Sequence, residues 1–220
     1  MRIMMTAATL AAVGLTSCAT TTSARDAPRV IIDTDAGRMV VELDLARAPL
    51  STCNFLSYVT DGDYDGGRFF RTVVRATNTG NPHPIDVIQA ATPRGDDDDL
   101  RPPIPLERTR DTGLNHVAGT ISMARNGPDT ATSSFFIVVE DSPSLDFGGT
   151  RNPDGQGFAA FGQVVAGMEA VHGIHRAAAT AEALDDTVLF SQVYATGDYT
   201  PWCEADATGF ISGPSRPALK

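Results

Sequence analysis

Residues 119–137, Gly-Thr-Ile-Ser-Met-Ala-Arg-Asn-Gly-Pro-Asp-Thr-Ala-Thr-Ser-Ser-Phe-Phe-Ile, constrain the fold more than any other stretch of this chain. They read as one β-run, a turn at Asn126-Gly127-Pro128-Asp129, and a second β-run that carries two adjacent phenylalanines. In the turn, glycine supplies freedom of φ and proline fixes it, so the tetrapeptide is structural. Neighbouring strand residues point to opposite faces, so Phe135 and Phe136 meet different surroundings.

The rest of the chain repeats this β-rich pattern. Residues 29–34 and 38–45 flank Asp35-Ala36-Gly37, a hairpin signal. In the second run Met39, Val41, Leu43 and Leu45 alternate with Val40, Glu42 and Asp44, which predicts a strand with one buried face. Ala48-Pro49 then opens a helix: proline in the first turn loses no needed N–H, and Phe55, Leu56 and Val59 fall at helical spacing before Asp61-Gly62. Further strands are predicted at residues 68–74, 85–90, 119–124, 134–139, 159–165 and 188–195, with a second helix starting at Gly167. Many strands with two isolated helices imply a mainly β fold, a closed antiparallel barrel whose ends the helices cover. A chain of 220 residues with 42% hydrophobic content supports one such domain plus tails.

Three segments in order resemble the cyclophilin-type peptidyl-prolyl isomerases: Phe69-Phe70-Arg71 with Gln89, the run 119–137, and the run 158–168 from Phe158 to Met168. The resemblance covers residues 29–196 and implies an eight-stranded cyclophilin-like barrel capped by two α-helices. It also implies a monomeric enzyme that rotates X-Pro bonds in proline-containing polypeptides without a cofactor. In that frame Arg71 is the catalytic arginine and Gln89 its partner, which also bonds the substrate backbone. Phe136 is the floor of the proline pocket, with Phe135 in the core. Val87 and Leu145 are the pocket's walls, Ala124 is a backbone position that pairs with bound peptide, and Phe158 stands at the far rim. The residues alone leave other readings open: a surface arginine paired with a carboxylate, a solvent-facing glutamine, and apolar side chains that are simply core.

Several positions depart from the family pattern. Its aromatic wall is Asp86 here, its asparagine after Ala124 is Arg125, its glutamine two before Phe136 is Ser134, and its tryptophan before the pocket leucine is Ser144. Its rim histidine is Phe158, and its Gly-Gly after the glutamine is Ala90-Ala91. The missing aromatic wall is to be supplied by Ile85 or by an inserted loop, if at all. Loops at residues 75–84 and 148–157 lengthen two connections that border the site. These changes keep the arginine and the floor and remodel the edges, and they imply weakened cyclosporin-type inhibition. They also sustain a second expectation, a cyclophilin-like module that binds proline segments without turnover.

Arg2 followed by the apolar stretch 4–15 reads as an export signal, too short for a permanent membrane helix, which needs about 20 apolar residues. Leu15-Thr16-Ser17-Cys18 resembles the lipobox of bacterial lipoproteins, so residues 1–17 are assigned as signal peptide, Cys18 as the lipidated residue and 18–28 as a tether. Ala19 after that cysteine points to the outer membrane on its periplasmic side. Cleavage after Ala19, giving a soluble periplasmic protein, is the other reading. Cys53 and Cys203 then remain as an even pair, which is either a disulfide or two separate thiols. Residues 197–220 read as an irregular extension.

A net charge of −10 repels nucleic-acid phosphates. The run Asp96-Asp97-Asp98-Asp99 lacks the glycine turn and distal glutamate of a calcium loop, and the four histidines show no metal-ligand spacing, so no metal is expected. Ser133 and Ser134 carry no nucleophile motif, which sets a hydrolase aside.

Overall fold

The computed structural model describes residues 27–78, 80–95, 101–197, 199 and 203. The export signal, Cys18, the run 96–99 and most of the extension 197–220 lie outside the described residues. Among the described residues nine strands form one sheet: β1 (Arg29–Thr34), β2 (Gly37–Leu43), β3 (Arg68–Val73), β4 (Val87–Ala91), β5 (Thr120–Met123), β6 (Phe135–Val138), β7 (Ala159–Ala166), β8 (Ala179–Thr180) and β9 (Ala183–Thr196). Eight of them run in the order β1-β2-β7-β5-β6-β4-β3-β9, and β9 pairs back onto β1, so the sheet closes into an antiparallel barrel. Closure removes the free edges that an open sheet would present to other chains. The two-residue β8 hangs on β9 as a short hairpin.

The expected alternation in β2 holds at Met39, Val41 and Leu43, all buried. It stops before Leu45, because the Asp44 carbonyl accepts from the Ala48 amide and turns the chain into α1 (Pro49–Thr60). A one-turn helix α2 (Thr109–Thr112) was not anticipated, since four residues are too few for a periodic pattern. The last strand begins at Ala183, five residues before the expected 188. Its first five residues include Asp185 and Asp186 and bury Leu184 alone, which is why they do not read as a strand.

The two longer helices cover the barrel. From α1, Phe55 enters the interior with its ring 5.2 Å from Tyr64, 5.3 Å from Phe135 and 5.4 Å from Phe161. Phe69 and Phe190 extend the cluster, their centroids 5.3 Å apart in a T-shaped pair. Such pairs add about 0.5–1.5 kcal/mol each beyond the area they bury. Helix α3 (Met168–His175) packs Ala170, Val171 and Ile174 against the barrel. It starts at Gly167, φ 92°, where an added Cβ would lie 2.1 Å from the Arg38 carbonyl oxygen, so glycine is obligatory there. Because the interior is filled by side chains, a ligand must bind outside the sheet.

Cys53, fully buried on α1, is joined to Cys203, and of the two readings left open by the sequence the structure takes the disulfide. The bridge spans 150 residues and brings Tyr199 and Cys203 against the core. Burial pushes the Tyr199 phenol above its ordinary pKa. A cross-link over so long a loop restricts the unfolded chain strongly. Replacing Cys53 with Ser is therefore expected to lower unfolding free energy by about 2–5 kcal/mol in a denaturant titration, with the Cys203→Ser and double variants showing the same loss.

Candidate active site

Strand register assembles the centre of the site. Arg71 on β3 pairs with Gln89 on β4, and Gln89 pairs with Phe136 on β6, so three expected site residues form one row across three strands. Arg71 reaches the outer face through an irregularity: the pairing of β3 shifts between Phe69 and Arg71 against both β4 and β9. Without it the two-residue period would place Arg71 on the same face as Phe69, which is fully buried in the interior. With it, Arg71 and Val73 share the outer side with Phe136.

The arginine is held from two sides. Its Nη1 donates to Gln89 Oε1 at 2.8 Å, its Nε donates to Glu182 Oε2 at 3.0 Å, and its Nη2 also donates to Glu182 Oε2. A guanidinium has five N–H donors. Among the described residues three are engaged, which leaves two for a ligand. Both partners are about one-third exposed, so the pair adds at most about 1 kcal/mol to stability and serves chiefly to orient the group.

Glu182 was missed by sequence reasoning. It sits with Ala181 in the β8–β9 turn, and both have positive φ, 50° and 74°. Positive φ at both central residues is the geometry of a type I′ hairpin turn, which normally signals itself by Asn-Gly or Gly-Gly. Ala-Glu carries no such signal, yet the turn's twist is what brings the carboxylate onto Arg71. The other carboxylate oxygen accepts from Asn78 Nδ2 at 2.7 Å, tying the inserted loop 75–84 to the same group.

Beside Arg71 lies an open cleft of about 370 Å³. Phe136, Leu145, Val87 and Ile85 form an apolar patch separate from the interior core, with Ala124 and Phe158 packed against it. Phe158 meets Phe136 edge-on, 5.4 Å between centroids and 90° between planes. All the expected lining residues, Phe136, Leu145, Val87, Ala124 and Phe158, border this cleft together with Arg71 and Gln89. Phe135 points the other way, into the core.

Two of the departures from the family pattern anchor the inserted loops. Asp86, only 7% exposed, accepts from the Arg75 amide at 2.7 Å and is ion-paired with Arg75 Nε at 3.1 Å, and so anchors the start of loop 75–84, while Ile85 supplies the apolar wall. Arg125 grips Asp154 through two bonds of 2.8 and 3.0 Å and donates to the Gly157 carbonyl, anchoring loop 148–157. Its guanidinium lies 4.9 Å from the Phe158 ring. This clamp holds the Asp154 carboxyl below the usual carboxylate range, so the anchor is intact at neutral pH and is lost in acid as pH falls through that lowered value. Ser134 is buried and does not border the cleft, whereas the Ser144 carbonyl accepts from the Arg151 amide at 3.1 Å.

Behind the floor lies an arrangement that the sequence reading did not find. His116 Nδ1 is 2.7 Å from Asp146 Oδ1, and Nε2 is 2.9 Å from Ser122 Oγ. The spacing imitates a hydrolase triad, but Ser122 is completely buried and does not border the cleft, so no acyl group can reach it. The imidazole instead lies near-parallel to Phe136, 5.9 Å away and 15° between planes, and braces the floor from behind.

A closed eight-stranded barrel with an arginine-edged apolar cleft on its outer face is the arrangement that the resemblance to the isomerases implied. Residues 29–193 match the family model described as cyclophilin type peptidyl-prolyl cis-trans isomerase, and the chain belongs to that family. It is 38% identical over 164 residues to peptidyl-prolyl cis-trans isomerase A of Dickeya dadantii, covering 74% of this chain and 79% of the relative. It is 37% identical to isomerase cyp18 of Streptomyces antibioticus, over 66% of this chain and 81% of the relative. A crystal structure of a Cryptosporidium parvum cyclophilin-type isomerase, determined in the presence of the dipeptide Ala-Pro, has a similar fold. Its TM-score is 0.61 at 20% identity, covering 77% of this chain and 99% of that one.

The Arg125 anchor is directly testable. Replacing Arg125 with the family's Asn is expected to speed hydrogen exchange at the Gly148, Gly155 and Gln156 amides by about tenfold or more, while Ile88 and Ile137 in the barrel strands stay protected.

Proposed function

We propose that this chain is a peptidyl-prolyl cis-trans isomerase that rotates X-Pro bonds in exported proteins on the periplasmic side of a bacterial envelope. The observation that carries the catalytic part is the Arg71 guanidinium, oriented by Gln89 and Glu182 at the edge of a cleft floored by Phe136.

Rotation about an X-Pro bond faces a barrier of about 18–20 kcal/mol set by amide resonance. No covalent step is needed. The cleft's apolar floor and walls bind the rigid, apolar proline ring, and the two free N–H groups of Arg71 face the amide as it twists. In the twisted state the imide nitrogen turns pyramidal and its lone pair becomes an acceptor. A donor aimed at that lone pair stabilises the transition state more than either planar ground state, and each 1.4 kcal/mol of that difference is tenfold in rate. Arg71 is thus the catalytic residue in this reading and Gln89 holds it, while Phe136, Val87, Leu145, Ala124 and Phe158 bind the substrate.

The Glu182 carboxylate on Arg71 favours a second reading, in which a neutralised arginine binds proline segments without appreciable turnover. Rate measurements on the purified domain separate the two.

The setting rests on the apolar stretch 4–15 and on Cys18 in a lipobox-like tetrapeptide. The Cys53–Cys203 bridge supports it, because disulfides persist in oxidising compartments such as the periplasm. In this reading lipid on Cys18 tethers the domain, facing the periplasm.

Arg71→Ala is expected to lose about a hundredfold in isomerisation rate on a short proline peptide while its circular dichroism is unchanged. Arg71→Lys should recover little, since an ammonium lacks the planar fork. An unaltered rate in Arg71→Ala removes that residue from the mechanism. Cys18→Ala is expected to abolish fatty-acid labelling and release the protein from the membrane fraction; retained labelling counts against the anchor.

A further inference from the structure

The cleft is electrostatically opposite to the protein that surrounds it. The chain carries a net charge of −10, yet the charged side chains bordering the cleft are Arg71, Arg125 and Arg151, with no Asp or Glu among its lining residues. These three cations are not equivalent. Arg71 is paired with Glu182 and Arg125 with Asp154. Arg151 makes no ion pair among the described residues; its guanidinium has one hydrogen bond, from Nη1 to the His83 carbonyl at 3.2 Å.

That bond fixes its position. Arg151 belongs to inserted loop 148–157 and His83 to inserted loop 75–84, so the bond ties the two loops together beside the cleft that Arg151 borders. The Arg151 amide donates to the Ser144 carbonyl, one residue before the wall residue Leu145. Burial pushes its guanidinium below the ordinary arginine pKa, an effect that Arg71 reinforces and Glu182 opposes. One of five donors is used on a carbonyl, so several remain for a ligand that arrives at the cleft.

We propose that Arg151 is a specificity-determining residue that selects clients bearing a carboxylate side chain next to the proline. The inference rests on the isomerase reading and deepens it. A proline in the cleft places its flanking residues at the rim, where an aspartate or glutamate meets a partly desolvated guanidinium that has no ion-pair partner among the described residues and can grip it with two parallel bonds. A lysine at the same place meets a like charge. Attraction on one side and repulsion on the other both widen the discrimination.

The test uses the disulfide-intact protein and a set of proline peptides that differ at one position, Glu, Gln or Lys, placed either before or after the proline. Isomerisation is followed by NMR exchange, and binding by chemical-shift titration of the same peptides. At low salt the Glu peptide of at least one set is expected to exceed its Lys counterpart by about five- to tenfold in kcat/KM and in affinity, the size of a half-buried charge pair, and the margin should shrink in high salt. In Arg151→Gln the Glu-to-Lys ratio should fall to about one, and Arg151→Lys should restore part of it. Equal values for Glu and Lys peptides in both sets, or a preference that persists in Arg151→Gln, overturn the proposal. If no peptide is isomerised the catalytic reading fails, and the binding ratios still decide whether Arg151 selects carboxylates.

Discussion

The register shift between Phe69 and Arg71 is the constraint on which the site depends. A closed barrel has only two kinds of position along each strand, inward to a filled core and outward, and strict alternation would spend both residues on one side. The shift lets β3 deliver Phe69 to the aromatic interior and Arg71 to the exterior within three residues. From there register does the rest, because Gln89 and Phe136 are the partners across β4 and β6. The interior rings fix the barrel that carries this row, and the row in turn defines where an apolar cleft can open.

The edges of the cleft were rebuilt as a set. Two connections are lengthened, and at each a residue that departs from the family pattern serves as the anchor: Asp86 for loop 75–84 and Arg125 for loop 148–157. Glu182 joins the first loop to Arg71 through Asn78, and Arg151 joins the two loops through the His83 carbonyl. Individually these contacts are weak where both partners are partly exposed, as at Arg71–Glu182, and firmer where one partner is buried, as at Arg125 and Asp86. Together they hold the rim around a mouth whose lining charges are all positive on an acidic protein. Asp86 and Arg125, which look like losses when read one position at a time, are in three dimensions the fastenings of the inserted loops.

Much of this was legible in the residues. The alternation of Met39, Val41 and Leu43, the proline that opens α1, and the Phe-Phe pair of β6 each carry a period or a breaker whose physical meaning is local. Arg71, Gln89, Phe136, Val87, Leu145, Ala124 and Phe158 were placed by resemblance and do border one cleft. Glu182, Arg151 and the His116–Ser122 bond were not legible. Their partners lie 111, 68 and 6 residues away, and even the shortest of these separations fits no local motif. The turn that carries Glu182 also adopts positive φ without the glycine or asparagine that would announce it.

The sequence by itself determined the class of fold, the strands that compose it and the chemistry available, because periodicity, turn residues and side-chain type act over a few neighbouring positions. Tertiary structure alone decided that Cys53 meets Cys203, that a shifted register turns Arg71 outward, and that Glu182 pairs with it while Arg151 makes no ion pair among the described residues. Those outcomes depend on which distant segments the closing barrel brings within a few ångströms, and no local pattern encodes that distance.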